Sequence, residues 1–186
     1  MKYNFTLYFL LCASSIHIFA QMKNYSVFDK DDFDKMGIPK NLNGQVIYQG
    51  YVKGIGYVAN QIAEYKNGKK HGHFIYFNKG EFVGEEYYVN GIRNGYFSLG
   101  EWSGFYKNGR KDGIWKHSSD TGDSEIITYK KGEKHGYYEY KYAIIKIIGR
   151  YKDDKKDGQW ITYNEKGEIL NKSFFKKGVE INIEKK

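Results

Sequence analysis

The stretch Glu64–Phe77 reads EYKNGKKHGHFIYF and contains the pattern that decides the fold. An Asn-Gly pair ends at Gly68, a second glycine follows at Gly72, and aromatic residues flank both. Asn-Gly is the preferred sequence for a two-residue type I′ turn between antiparallel strands. The stretch therefore predicts a β-hairpin.

The same pattern returns along the chain. With Gly68 as position 0, an aromatic residue stands at −3, a basic residue at +2, a glycine at +4 and an aromatic residue at +6. The zero positions of the five copies are Gly68, Gly91, Gly109, Gly132 and Asp154, and a half-copy with Phe175 and Gly178 follows. Their spacings of 23, 18, 23, 22 and 24 residues indicate a repeat architecture, in which each unit contacts only its neighbours.

The turn determines which positions share a face of each hairpin. A two-residue turn pairs position −3 with position +2, so both aromatic residues, the basic residue and the second glycine are predicted to lie on one face. We expect the −3 ring to lie over the second glycine, where the missing side chain leaves room for it. The opposite face carries Lys66, Lys69 and His73 in the first copy and is predicted to be more polar.

The composition agrees with an all-β fold. The 186 residues include 19 Tyr, 12 Phe and 22 Gly but only 1 Pro, which favours short strands joined by glycine turns. We predict an elongated single-layer antiparallel sheet of tandem hairpins, with about five to six repeats in residues 45–183. Residues 21–44 are interpreted as an N-terminal leader or cap, a degenerate first unit begins near Gln45, and residues 184–186 form a tail.

The first twenty residues, MKYNFTLYFLLCASSIHIFA, resemble a targeting segment. Lys2 precedes the apolar run Phe5–Leu11, and Ala20 ends a cleavage site with a small residue, a pattern typical of a secretory signal peptide and too short for a membrane span. A lipoprotein signal with Cys12 as the lipid-bearing residue is the alternative. We therefore predict a secreted, periplasmic or cell-surface protein without a transmembrane segment. Cleavage would remove the only cysteine, so no disulfide is expected.

Three segments, YKNGKKHGHF, YKNGRKDGIW and GEWSGFYKNG, carry a resemblance to a known family. They resemble the MORN repeat, and are most similar to its bacterial variants, in which an aromatic residue or Trp follows the second glycine. The resemblance covers about Tyr48–Asn182. It implies a sheet of tandem hairpins and is not specific for one function. Similar bacterial proteins are described as antitoxins of toxin–antitoxin systems, and eukaryotic relatives as scaffolds or membrane-adjacent modules.

The candidate binding site is the set of basic residues at +2, which we call the row: Lys70, Arg93, Lys111, Lys134 and Lys156. The aromatic residues predicted to share its face are Tyr65, Phe74, Tyr88, Phe97, Tyr106, Trp115, Tyr129, Tyr138, Tyr151 and Trp160. In a chain of net charge +8, such a row could hold anionic headgroups or acidic sugars. Alternatively, the basic side chains pack across the rings and contribute about 0.5–1 kcal/mol each to folding.

Other candidate sites are weaker. His71 and His73 could share a strand face, but no third ligand stands at a zinc-like spacing. The acidic run Asp29–Lys35 lacks the glycine and the closing glutamate of a calcium loop. We therefore expect no metal, no cofactor and no catalytic residue, and export argues against nucleic acid as a partner.

These inferences predict a non-catalytic exported scaffold that binds a protein partner or an anionic lipid or glycan surface. The alternative is an antitoxin or immunity protein that neutralises a partner toxin by direct contact.

Overall fold

The computed structural model describes residues 25–29, 40, 42–52, 56–79 and 81–181. The predicted signal peptide (1–20), most of the predicted leader (21–44) and the predicted tail (184–186) lie outside these residues. Every regular element in the described part of the chain is a β-strand, so the prediction of an all-β fold is confirmed.

Fifteen strands occur in the described residues. In chain order they are β1 (Tyr25–Asp29), β2 (Gly44–Val52), β3 (Gly56–Lys66), β4 (Lys69–Asn78), β5 (Glu81–Val89), β6 (Ile92–Leu99), β7 (Trp102–Lys107), β8 (Arg110–Ser118), β9 (Ser124–Lys130), β10 (Glu133–Tyr142), β11 (Ile145–Lys152), β12 (Lys155–Lys156), β13 (Gly158–Tyr163), β14 (Ile169–Lys176) and β15 (Val179–Ile181). The chain divides into two compact units, Met1–Val83 and Gly84–Lys186.

The first unit contains strands β1 to β4. Strands β2, β3 and β4 pair antiparallel, and β1, which lies within the predicted leader, pairs parallel with β2. Two triplets of apolar side chains align across β2, β3 and β4, one on each face: Val46, Ala63 and Phe74, and Ile47, Ile62 and Ile75. All six are at most 6% exposed, so both faces of this sheet are buried at these positions.

The second unit, which begins within β5, is a single antiparallel sheet. From β5 to β11 and then through β13, β14 and β15, each strand pairs with the next one along the chain, while the short β12 pairs with β11. No crossover occurs between these strands, so the unit is a single layer of consecutive hairpins, as predicted.

The turns have the predicted geometry. Asn67 and Gly68 have φ values of 50° and 67°, and Asp153 and Asp154 have 50° and 62°, so both central residues are left-handed, as a type I′ turn requires. The predicted pairing of position −3 with position +2 occurs in all five copies: Tyr65 with Lys70, Tyr88 with Arg93, Tyr106 with Lys111, Tyr129 with Lys134, and Tyr151 with Lys156. The register inferred from the sequence is therefore confirmed.

The explanation predicted for the second glycine is wrong. A Cβ atom added to Gly113 would have no neighbour within 4 Å, and one added to Gly72 would meet the side chain of Glu64 and not the Tyr65 ring. Gly113 instead has a φ of 75°, in the left-handed region that glycine adopts without steric cost. In this hairpin the strand register shifts between Ser103 and Phe105, which indicates a β-bulge. The second glycine therefore satisfies a backbone requirement.

A ring does pack closely on glycine elsewhere in the repeat, at position −5. A Cβ atom on Gly104 would lie 2.3 Å from the Trp115 ring, and one on Gly149 would lie 2.3 Å from the Trp160 ring. In the first copy the corresponding pair is Ala63 opposite Phe74. The largest rings at +6 therefore lie on glycine of the preceding strand, a relation that the sequence analysis did not identify.

In several copies, the side chain at position +3 binds the backbone of the turn of the next copy. The Asn94 side chain accepts a hydrogen bond from the Asn108 backbone N–H at 3.0 Å. The Asp112 carboxylate accepts one from the Lys131 N–H at 3.1 Å. This contact explains why polar residues precede the left-handed glycine of the bulge.

The same contacts reveal a half-copy before the first full one. The Asn43 side chain accepts a hydrogen bond from the Asn67 N–H at 2.9 Å, and the Leu42 carbonyl accepts one from the Gly68 N–H at 2.9 Å. Gly44 has a φ of 100° and pairs with Tyr65, as a second glycine pairs with the next −3 residue elsewhere. The repeat pattern therefore extends to Leu42, slightly before the boundary that we predicted at Gln45.

Candidate functional site

The row occupies one register position in each hairpin. Each row residue stands opposite the −3 tyrosine of its own copy, two residues after the turn. Because side chains alternate along a strand, the basic residue, that tyrosine and the +6 ring lie on the same face. The structure thus places the predicted site residues of each copy together.

The Lys111 ammonium group is surrounded by aromatic rings. Its Nζ lies 4.1 Å from the centre of the Trp115 ring, 4.9 Å from that of Trp102 and 5.1 Å from that of Tyr129. These distances are within the range of a cation–π interaction. Burial among the rings lowers the pKa of Lys111.

The other row lysines also lie near the centres of aromatic rings. Lys156 Nζ lies 4.4 Å from the ring centre of Trp160 in its own copy and 4.9 Å from that of Phe175 in the next. Lys134 lies 5.1 Å from the ring centre of Tyr151, also in the next copy. In the first unit, Lys70 lies 4.7 Å from that of Phe74. Several row cations therefore join consecutive hairpins.

Arg93 combines ring contacts with a buried ion pair. Its guanidinium group lies 5.5 Å from the ring centre of Tyr106 and binds the carboxylate of Glu86. Glu86 is 3% exposed and also accepts a hydrogen bond from the Tyr88 hydroxyl at 3.0 Å. The hydrogen bond to Glu86 raises the pKa of Arg93, and burial raises that of Tyr88. The row residue thus neutralises a buried carboxylate at position −5, which the sequence analysis did not identify.

The aromatic rings of this face pack against one another. Trp115 lies edge-to-face with Tyr106 at 5.0 Å between ring centres and with Tyr129 at 6.3 Å. Tyr151 lies edge-to-face with Trp160 at 5.1 Å. Trp115 is 1% exposed and Trp160 6% exposed. Neither indole therefore has a free ring face on which a sugar could stack.

The row cations thus pack across the aromatic rings of the sheet, which is the alternative to a binding role given above. Its cations still differ in exposure, since the side chain of Arg93 is 43% exposed while Lys111 is half-buried. The row can attract an anion through its exposed head groups, but its rings are engaged with each other.

The opposite face of the second unit is less polar than predicted. Tyr96, Phe105 and Ile114 lie on it with exposed fractions of 41%, 54% and 55%. Tyr96 stands opposite Phe105 on the neighbouring strand, with 5.4 Å between their ring centres. The equivalents of Lys66 and Lys69 in this unit, such as Lys107 and Arg110, are exposed on the same face as predicted, so the face carries both cations and apolar side chains.

The histidines have hydrogen-bonding roles in the second unit. The His117 ring lies 4.7 Å from that of Trp102, and its Nε2 lies 2.8 Å from a carboxylate oxygen of Glu101. His135 Nδ1 lies 3.1 Å from the Asp153 carboxylate. Among the residues that the structure describes, no group of three acidic, histidine or cysteine side chains could hold a metal ion.

A shallow cavity of about 400 Å³ lies at the edge of the second unit where β10 turns into β11. Its lining includes Lys141, Ile144, Lys146 and Tyr163. Both lysines form ion pairs with Glu139, at 3.1 and 3.6 Å. These side chains therefore contribute to the packing of the sheet edge.

Within the described part of the chain, no helix has the length and apolar character to span a bilayer.

The chain matches no protein family model. It also matches none of the curated proteins.

Proposed function

We propose that the protein is an exported, non-catalytic repeat scaffold of MORN-like hairpins that binds an anionic cell-envelope surface or a protein partner. Residues 1–20 act as the signal peptide in this proposal. The hairpins supply a regular surface on which similar groups recur, and binding takes place on that surface without chemical change to the partner.

One observation carries the proposal: a cation stands opposite the −3 tyrosine in each of the five copies. Successive hairpins of a sheet lie about 10 Å apart, since each adds two strands at about 4.8 Å. The chain has 30 basic and 22 acidic residues, so its net charge of +8 favours anionic partners in general. A sheet with recurring cations offers many weak contacts to an extended anionic surface.

The experiment is a binding assay with the purified chain and vesicles of phosphatidylcholine, with and without phosphatidylglycerol. We expect retention on the anionic vesicles only, and a loss of retention as salt shortens the Debye length from about 10 Å at 0.1 M to about 3 Å at 1 M. Isolated cell-envelope material serves as a second anionic surface. Equal binding to neutral vesicles, or no binding to any anionic material, would contradict the proposal of an anionic partner.

A row variant tests whether the row contributes. Replacing all five row residues by Gln removes five charges, and circular dichroism checks that the sheet remains folded. If this variant unfolds, Lys134→Gln with Lys156→Gln tests the row at a smaller structural cost. Capture of one specific protein from the producing cell, unaffected by salt, would favour the antitoxin or immunity alternative.

A further inference from the structure

The second unit carries a second group of cations on the face opposite the row. They stand directly beside the turns, at positions −2 and +1, and we call them the basic band: Lys107, Arg110, Lys130, Lys152, Lys155 and Lys176. Each is next in sequence to a row residue or to a −3 aromatic residue, so strand alternation places it on the other face. All six are exposed.

Most cations of the basic band have no acidic residue opposite them; the exception is Lys130, which stands opposite Glu133. Lys107 stands directly opposite Arg110, and Lys152 directly opposite Lys155. Like charges opposite each other across two strands are destabilising. None of the six cations forms an ion pair with a carboxylate in the described part of the chain. Folding therefore gives no reason for this accumulation of charge.

The stems of two of these side chains are held in place by the turn that follows. A Cβ atom on Gly132 would lie 3.5 Å from the Arg110 side chain, and one on Gly178 would lie 3.5 Å from the Lys155 side chain. The apolar stems thus lie along the next turn, and the charged ends extend into solvent. The charges consequently recur at the turn edge of successive hairpins.

Exposed apolar side chains lie next to the basic band on the same face. Phe105 is two residues from Lys107 on β7, and it contacts Tyr96 on β6. Ile92, at the turn edge of β6, is 53% exposed. The rings of Tyr96 and Phe105, unlike the indoles of the row face, are accessible to a ligand.

We propose that this face binds an acidic polysaccharide, with the basic band holding its carboxylate or sulfate groups and Tyr96 and Phe105 contacting its sugar rings. The inference rests on the proposed function, since it names the class of anionic partner and moves the main contact to the face opposite the row. At least one cation of the basic band stands beside the turn of each of four successive hairpins, at Gly109, Gly132, Asp154 and Gly178. The spacing of about 10 Å between these hairpins matches the length of a disaccharide and hence the charge repeat of such a polymer.

Two other anions fit the surface less well. Sheets twist by about 20–25° per strand, so a flat bilayer reaches only a few strands, whereas a flexible polymer follows every hairpin. Single-stranded nucleic acid needs rings on which successive bases stack, but the Tyr96 and Phe105 rings lie at 59° to each other. An acidic glycan needs only single ring contacts and recurring cations.

The test measures the affinity of the full chain for polygalacturonate, with neutral dextran, anionic vesicles and a single-stranded oligonucleotide as comparison ligands. A band variant changes Lys107, Arg110, Lys130, Lys152 and Lys155 to Gln, and the row variant is its charge-matched control because both lose five charges. We expect the band variant to lose about tenfold in affinity for polygalacturonate, which corresponds to about 1.4 kcal/mol, because five cationic contacts are removed. We expect the row variant to lose much less.

A second variant, Phe105→Ala, tests the ring contact without a change in charge. It should weaken polygalacturonate binding equally at low and high salt. Equal losses for the band and row variants would overturn the inference, because net charge alone would then explain binding. Binding to anionic vesicles without binding to polygalacturonate would overturn the inference and leave the proposed function standing, and no binding to either ligand would overturn both. Tighter binding to the oligonucleotide would also overturn the inference.

Discussion

The second glycine of each repeat allows a direct test of whether its left-handed backbone conformation is the reason for glycine at that position. Gly113 has a φ of 75° and open space where a side chain would begin. A non-glycine residue in the left-handed region costs about 1–2 kcal/mol, and Asn tolerates that region better than Ala. Alanine also restricts the unfolded chain, which returns about 0.4–1 kcal/mol. We therefore expect Gly113→Ala to cost about 1 kcal/mol and Gly113→Asn to cost less.

Gly104 is the matched control, because it needs space and its φ is not in the left-handed region. Its added Cβ would lie 2.3 Å from the Trp115 ring, so even alanine displaces the indole, at a cost of about 1–3 kcal/mol. Asparagine is larger and should cost more. The expected order of destabilisation is therefore opposite at the two positions: at Gly113 alanine lowers the free energy of unfolding more than asparagine, and at Gly104 asparagine lowers it more than alanine.

The measurement is urea unfolding of the four single variants, followed by far-ultraviolet circular dichroism, which reports on the sheet. A change in the midpoint at constant slope reports a change in the free energy of unfolding. If Gly113→Asn cost as much as Gly113→Ala or more, the left-handed backbone would not be the reason for this glycine. The same order at both positions would refute the distinction between them.

Three further changes test other contacts of the sheet. Asp112→Ala should lower the free energy of unfolding by about 1 kcal/mol, because the Lys131 N–H of the following turn loses its acceptor. Asp112→Asn should retain most of the stability, and urea unfolding of both variants measures the difference. Lys111→Met should cost about 0.5–2 kcal/mol through the lost cation–π contacts, while Lys116→Met on the opposite face should change the melting temperature little; equal effects would contradict the role of the rings. A hydrogen bond from a tyrosine hydroxyl lowers the pKa of Glu139 below its usual 4.5, so the stability that its charged form adds is present above that value and is lost as the pH falls through the lowered pKa. The wild-type chain should therefore exceed Glu139→Gln in stability at pH 6 and lose this advantage progressively as the pH falls below 4.5, and a constant difference in urea unfolding would contradict it.

Much of the fold follows from the sequence because its determinants are local. A two-residue turn with Asn-Gly fixes the pairing of Tyr65 with Lys70, and this pairing then places every residue of the hairpin on one face or the other. The same reasoning gave the register of all five copies, including the one in which Asp154 replaces the glycine.

The features that the sequence did not reveal depend on backbone conformation and on packing between strands. The bulge at Gly113 is a backbone feature, and spacing alone did not distinguish a glycine required by φ from one required by a ring. The packing of Trp115 on Gly104 depends on the register between strands, although the Gly at −5 in both Trp-containing copies was a readable signal. The exposed Phe105 was missed because the first copy has Glu64 at that position and suggested a polar face.

The central structural claim is that the hairpins stand side by side, with the row on one face and Tyr96 and Phe105 on the other. The most direct test is disulfide formation in a Cys12→Ser background, because a disulfide needs Cβ atoms within about 3.5–4.5 Å that point toward each other. Tyr96→Cys with Phe105→Cys, which are opposite each other on adjacent strands, should crosslink on mild oxidation. Tyr96→Cys with Tyr106→Cys should remain reduced, because those side chains lie on opposite faces. Crosslinking of the second pair and not the first would contradict the arrangement of the sheet.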